Sequence, residues 1–216
     1  MSLADIARRA AAHHLEIRGG FSTAGDEVGL PPKTRSLLLL GPSEPGFWPH
    51  FTDQPEWRDG TPDPMDRWSR RVIGRLACDL GAKALFPFGG PPWHPFYQWA
   101  LRSGRAWESP VRLLIHDRAG LLVSFRGALA LRETLDLPAP PSRPCDNCAA
   151  PCRTACPAGA LTDAGYDVPA CHHFLNTSAG AACMSQGCAV RRACPVSASY
   201  ARLEEHSAYH MGQFHT

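Results

Sequence analysis

The chain has 216 residues, which is enough for one domain of ordinary size and a smaller second one. Its formal net charge of +2 favours no class of partner, so we expect no nucleic-acid binding. It has no apolar run of about eighteen residues, so we expect no membrane-spanning helix and no membrane partner. The first residues lack the apolar core of a signal peptide, which favours a cytoplasmic location. There, nine cysteines indicate metal or redox chemistry more often than disulfides.

The first 136 residues alternate predicted helices and strands. In chain order we predict an amphipathic helix over 3–17, a buried strand over 36–40, a long loop over 42–64, a helix over 66–80, a strand over 82–88, a short helix ending near 102, and a hairpin of strands over 111–115 and 121–125. This order predicts an α+β sandwich with a mixed or antiparallel sheet. Cys78, alone in the second long helix, is predicted to be a small buried side chain.

A proline-rich stretch over 137–144 reads as a stiff linker. We therefore predict a first domain over 1–136 and a second, with a C-terminal tail, over 145–216. The tail contains His206, His210 and His215, for which packing or solvation is favoured over metal binding.

The second domain holds eight of the nine cysteines. Two runs each end in Cys-Pro, and together they contain Cys145, Cys148, Cys152, Cys156, Cys171, Cys183, Cys188 and Cys194. The first run reads C-x2-C-x3-C-x3-C-P, one residue longer than the bacterial two-cluster ferredoxin pattern. Eight thiolates are the ligand set of two [4Fe–4S] clusters. Structural zinc and a disulfide framework remain as alternatives, although only one C-x2-C pair is present.

The spacing also suggests how the ligands divide. Three close cysteines let one loop wrap three corners of a cluster, and the fourth ligand then comes from far along the chain. On this reasoning one cluster takes Cys145, Cys148, Cys152 and Cys194, and the other takes Cys156, Cys171, Cys183 and Cys188. The proline after the distant cysteine is expected to stop a helix.

The order of cysteines resembles the ferredoxin half of epoxyqueuosine reductases. The stretches that carry the resemblance are Cys156-Pro157-Ala158-Gly159-Ala160 and the segment that begins at Cys171. The resemblance implies clusters beside a cobalamin on a nitroreductase-like α+β domain. The family's catalytic aspartate has no matching motif here, so we assign no catalytic residue.

The first 136 residues resemble the CblC (MMACHC) family of cobalamin-processing proteins. The carrying stretches are Ser36–Gly41, Phe86-Pro87-Phe88, Pro91–Phe96 and Ser124–Leu129. The resemblance implies a corrinoid cavity with Phe86, Phe88, Pro92, Trp93, Phe96, Trp99 and Phe125 as its walls. His94, His116 and Arg126 are candidate polar contacts. Ordinary core, hydrogen-bonded loop histidines and a solvated arginine are the alternatives, and a flavin stays open as another cofactor.

Together these features predict an oxidoreductase in which two clusters pass electrons to the cobalt of a bound corrinoid. A cobalamin-dependent reductase of the epoxyqueuosine type and a ferredoxin-type carrier without corrinoid are the alternatives. An upstream donor, such as a flavodoxin or a ferredoxin reductase, is an expected partner, and the nitroreductase-like fold suggests a homodimer.

Overall fold

The computed structural model describes residues 2–25, 27–162 and 165–215, and the chain divides into two compact units. The first unit comprises Met1–Arg105 and Ser124–Pro141, and the second comprises Ala106–Val123 and Ser142–Thr216. Helices occur together with antiparallel sheets, so the predicted α+β class is confirmed. Residues 106–123, which include most of the predicted hairpin, belong by contact to the second unit, while 124 and 125 belong to the first.

An antiparallel four-stranded sheet forms the centre of the first unit. Its strands, in spatial order, are β1 (Leu15–Ser22), β2 (Ser36–Pro42), β6 (Gly127–Leu131) and β3 (Lys83–Leu85). Every position of β2 and β6 is buried. Both faces of these strands are therefore covered, which explains why the predicted strand over 36–40 reads as a continuous apolar run.

Five helices accompany this sheet in the described part of the unit. They are α1 (Leu3–Ala11), α2 (Phe47–Thr52), α3 (Pro55–Arg58), α4 (Pro64–Asp79) and α5 (Phe96–Arg102). Helix α4 packs against β3 and β6, while α1 and α5 pack against β1. The predicted helix over 66–80 is thus confirmed, but Cys78 on it is exposed rather than buried.

The predicted helix over 3–17 is wrong in its second half. Ser2 caps the start, where its hydroxyl accepts the backbone N–H of Asp5, and the helix ends at Ala11. His14 then adopts a left-handed backbone with φ of 51°, and β1 begins at Leu15. Pairing with the buried strand β2 satisfies the backbone groups of this segment, and that tertiary interaction outweighs the local helical spacing.

The predicted long loop over 42–64 contains helices α2 and α3. Their aromatic side chains form a cluster with Trp68 of α4, whose ring meets the ring of Phe47 edge to face at a centroid distance of 5.4 Å. The prolines of this stretch favoured a loop, but Pro55 occupies the first turn of α3, where its missing N–H costs nothing.

The second unit is built from short elements. After β4 (Ala106–Glu108) and β5 (Leu114–His116), they are β7 (Leu161–Thr162), β8 (Gly165–Tyr166), α6 (Val168–Leu175), α7 (Ala181–Gln186), α8 (Ala189–Arg192), α9 (Pro195–Ala198) and α10 (Glu204–Phe214). Strands β4 and β5 pair antiparallel, so the hairpin exists but lies earlier in the chain than predicted. Residues 121–125 form no strand. Among the described residues no helix is long and apolar enough to cross a membrane.

We expect Gly41→Ala to destabilise the first unit. A Cβ at Gly41 would lie 2.4 Å from the Ser124 carbonyl oxygen and 2.9 Å from Cγ of Arg18, so backbone would have to move. Overpacking of this kind costs roughly 1–3 kcal/mol, which thermal unfolding would report as a lower Tm.

The matched control for this substitution is Gly74→Ala. Gly74 lies within α4, and a Cβ there meets nothing within 4 Å. Because alanine forms helix better than glycine by up to about 1 kcal/mol, this variant should hold or raise Tm. Equal Tm values for the two variants would contradict the packing of β2.

Candidate metal centre

The structure brings the eight clustered cysteines into two groups within the second unit. Cys145, Cys148, Cys152 and Cys194 line one cavity of about 320 Å³. These are the four thiols that the spacing grouped together. A water molecule takes up about 30 Å³ in the liquid, so the cavity is far larger than one water or one metal ion needs.

The wall of this cavity is mostly apolar. Ile115 and Leu121 reach it from residues 106–123, which contain strands β4 and β5 and are called the hairpin segment below. Pro195 and Val196 reach it from α9. Leu121, Cys152 and Cys194 belong to one buried cluster of side chains. This burial removes water from the sulfur atoms and raises the pKa of the Cys145 and Cys152 thiols above the ordinary value.

The second group consists of Cys156, Cys171, Cys183 and Cys188. Cys171 interacts electrostatically with each of the other three, so all three lie in its neighbourhood. Burial raises the pKa of Cys171, and a hydrogen bond from the Tyr166 hydroxyl opposes that rise by stabilising the thiolate. The same surroundings raise the pKa of Tyr166, so this phenol stays protonated and able to donate.

Backbone N–H groups point at sulfur in both groups. The N–H of Ala150 donates to Sγ of Cys148 at 3.4 Å, and the N–H of Ala160 donates to Sγ of Cys156 at 3.3 Å. Ala150 itself has a left-handed backbone, with φ of 52°, so the chain turns directly after this N–H. Donors of this kind stabilise negative charge on thiolates.

Short helices hold the distant cysteines. Cys171 lies in α6, which Asp167 caps through the N–H of Ala170. Cys194 comes directly before α9. Pro195 therefore begins a helix and does not stop one, because proline is well suited to a first helical turn.

The hairpin segment is fixed to these helices by one residue. The N–H of Leu121 donates to Oγ of Ser197 at 2.8 Å, and a guanidinium N–H of Arg191 donates to the Leu121 carbonyl at 2.5 Å. Gly120 approaches Ser197 so closely that a Cβ there would lie 2.4 Å from the Ser197 nitrogen. Sequence reasoning missed this contact, since nothing near Gly120 announces a partner more than seventy residues away.

These features fit an iron–sulfur cluster. The four cysteines that line the cavity offer only thiol donors, burial partly desolvates Cys145, Cys152 and Cys171, and backbone N–H groups donate to Cys148 and Cys156. No three histidine, cysteine or acidic side chains in the described residues could hold a single metal ion together. In a [4Fe–4S] cluster each cysteine binds a different iron, so the four sulfur atoms do not converge on one point.

The residues predicted for a corrinoid cavity divide between the two units. Nine of the ten lie in the first unit, and His116 lies in the second. None of these nine residues lines the cysteine cavity, and none lines a smaller cavity of about 180 Å³ in the first unit. His116 is buried, and its Nδ1 accepts the backbone N–H groups of Arg118 and Ala119 at 3.1 and 3.2 Å.

Within the first unit the aromatic candidates pack together. Phe86 and Phe88 have ring centroids 5.3 Å apart, and the Arg70 guanidinium lies 5.2 Å from the centroid of the Phe88 ring. Phe96 contacts Phe125, with a centroid distance of 6.3 Å, while His94 stacks on Trp99. Trp93 differs from these, because 65 % of its surface is exposed.

Arg126 is paired with an acid in the structure. Its guanidinium donates to Oδ1 of Asp66 at 3.3 Å and lies 5.9 Å from the Phe88 ring centroid. Burial raises the pKa of the Asp66 carboxyl, and the charge of Arg126 works against that rise. The arginine is therefore held in place beside the aromatic group rather than free in solvent.

The tail histidines lie in or directly after α10 and pair with other histidines. Nε2 of His206 lies 3.1 Å from Nε2 of His210, and Nδ1 of His215 lies 2.7 Å from Nδ1 of His172. The packing alternative of the sequence analysis thus agrees with these contacts.

We expect Gly120→Ala to lower the Tm of the protein more than Gly159→Ala. Both glycines have left-handed backbones, with φ of 57° and 62°, so both variants incur strain of about 1 kcal/mol. Only the Gly120 variant also clashes, because nothing lies within 4 Å of a Cβ at Gly159. Thermal unfolding of the two variants side by side isolates the clash, and equal losses would show that the hairpin does not dock against Ser197.

Comparison of the chain with family models, with curated proteins and with solved structures gave no match.

Proposed function

We propose that this protein is an iron–sulfur oxidoreductase that carries two [4Fe–4S] clusters and delivers electrons to a corrinoid. The observation that carries the iron–sulfur part is the arrangement of eight thiols in two groups of four, one of them around an apolar cavity. The corrinoid part is supported more indirectly, by the sequence resemblance and by the aromatic group of the first unit.

In this proposal each cysteine group holds one cluster. When bound, the clusters supply one-electron transfer at low potential. The chain's own contribution is to bind the irons through thiolates, to donate N–H groups to Cys148 and Cys156, and to keep water away with Ile115 and Leu121. Burial and hydrogen bonds to sulfur are the features by which a protein sets cluster potential.

The corrinoid would bind at the first unit and take up the electrons there. The proposed fold of that unit is a nitroreductase-like sandwich. Phe86, Phe88 and Trp93 offer apolar surface, and Arg126 offers a fixed positive charge. A reduced flavodoxin or ferredoxin reductase would supply the electrons. A cobalamin-dependent reductase of the epoxyqueuosine type would use the same parts on an organic substrate.

We expect the protein purified without oxygen to contain about eight irons and eight sulfides per chain. Cys152→Ser and Cys194→Ser should each lose about four irons, and so should the double variant, because both residues hold the same cluster. Combining Cys152→Ser with Cys183→Ser should remove both clusters. Iron analysis and electron paramagnetic resonance of the reduced protein measure these losses.

The control for the cysteine series is Cys78→Ser. Cys78 is exposed and lies in the first unit, so this variant should keep all the iron. Protein with one or two zinc ions and no sulfide would overturn the iron–sulfur proposal. Full loss of iron from the Cys152/Cys194 double variant alone would contradict the division into two groups.

We expect the iron-loaded protein to bind hydroxocobalamin and to convert it to the cob(II)alamin form once the clusters are reduced. Trp93→Ala should weaken binding about tenfold, because an aromatic contact of about 1.4 kcal/mol is lost. Since Trp93 is exposed, its loss should leave Tm unchanged. Visible spectra follow the conversion, and titration of tryptophan fluorescence gives the affinity.

Val28→Ala serves as the control, since Val28 is 99 % exposed in the first unit. Full iron content without any cobalamin response would leave an electron carrier without corrinoid. Turnover of an organic substrate by the cobalamin-loaded protein would instead favour the reductase.

A further inference from the structure

Arg191 is the charged side chain that connects the two cysteine groups. It lies on α8, which begins directly after Cys188 of the second group. Its guanidinium donates to the carbonyl oxygen of Leu121, and Leu121 lines the cavity of the first group. Arg191 is therefore hydrogen-bonded to the wall of the first cysteine group and lies three residues after Cys188, a cysteine of the second group.

Among the residues that the structure describes, no carboxylate acts on the charge of Arg191. In the described part of the chain, the groups that act on its charge are Cys188 and Tyr166, and the Tyr166 hydroxyl is bonded to Cys171 of the second group. A partly buried guanidinium keeps its charge and is costly unless an anion lies nearby. Once the second group binds a cluster, its thiolates, with Cys188 nearest in the chain, would supply that anion.

We infer that Arg191 sets the reduction potential of the cluster held by Cys156, Cys171, Cys183 and Cys188, and so directs the electron toward that cluster. This inference rests on the proposed iron–sulfur function. Each reduction takes one electron from an external one-electron donor, which is oxidised by one electron, and adds one negative charge at the cluster. A fixed cation beside the cluster stabilises the reduced form more than the oxidised form, because the reduced form carries more negative charge.

The two cysteine groups differ in how strongly a nearby positive charge acts on them. In the first group, Arg143 acts on the charge of Cys145 and Arg153 on that of Cys152, but both arginines are exposed at the surface. Water and salt screen exposed charges strongly. Arg191 is less exposed and is fixed by its bond to Leu121, so its charge acts at closer to full strength. The second cluster should therefore be the easier one to reduce.

The test is a redox titration of the iron-loaded protein, followed by electron paramagnetic resonance, with Arg191→Gln. We expect the equilibrium constant for reduction of one cluster to fall about tenfold, which for one electron is a midpoint about 59 mV lower. The other cluster should shift much less. Arg191→Lys, which keeps the charge, should restore most of the difference.

Two further variants separate charge from structure. Ser197→Ala removes the other hydrogen bond to Leu121 without changing any charge, so the midpoint of the cluster held by the second group should stay at the wild-type value. Arg202→Gln removes one positive charge elsewhere in the second unit, where Arg202 lies over the Tyr200 ring, and should also leave the midpoints unchanged.

The outcomes are distinct. Protein without about eight irons per chain would overturn the proposed function itself, before any variant is titrated. A full iron load with unshifted midpoints in Arg191→Gln would overturn only the role of Arg191. An equal shift of that midpoint in Ser197→Ala would also overturn it, because the hydrogen bond to Leu121 and not the charge would then be responsible. If Arg191→Gln fails to load iron, the decisive variant is Arg191→Lys, and a midpoint different from that of the wild type there would overturn it.

Discussion

The second unit depends on how one residue of the hairpin segment is held. Both backbone polar groups of Leu121 are bonded to side chains of the C-terminal helices, the N–H to Ser197 and the carbonyl to Arg191. A buried backbone group without a partner is costly, so these two bonds fix the segment firmly. They also bring the apolar side chain of Leu121 to the cavity that Cys145, Cys148, Cys152 and Cys194 line.

Burial of thiols makes the unit dependent on what the thiols bind. The pKa values of Cys145, Cys152 and Cys171 are raised because the apolar surroundings disfavour a bare thiolate. The proposed metal cluster would offset that cost, since it would share the negative charge and replace the protons. The helices around the cysteines are short, and short helices gain little stability by themselves. If these thiols bind a cluster as proposed, cluster binding and folding would be coupled, as metal binding and folding are in small zinc domains.

In the second unit, the spacing of the cysteines could be interpreted from the sequence, but contacts between distant segments could not. The spacing of Cys145, Cys148 and Cys152 selected Cys194 as their partner, and the structure brings these four thiols together, although their metal stays a prediction. The segment over 121–125 looked like a strand because it is apolar. Its first side chain, Leu121, instead lines the cysteine cavity, and no pattern in a single sequence distinguishes a strand residue from such a wall residue. In the first unit, β1 was missed because pairing with β2 is likewise a long-range interaction.

The same contacts argue against a ferredoxin-like half that is simply appended to the first unit. Residues 106–123 belong to the second unit, yet the chain enters them from Arg105 and leaves them at Ser124, both of which belong to the first. A fragment that began at Cys145 would lack Ile115 and Leu121, and one side of the cysteine cavity would be open to water. Because the potential of an iron–sulfur cluster depends on solvent exposure, the potential of a cluster held here would depend on Ile115 and Leu121 as well as on the cysteines.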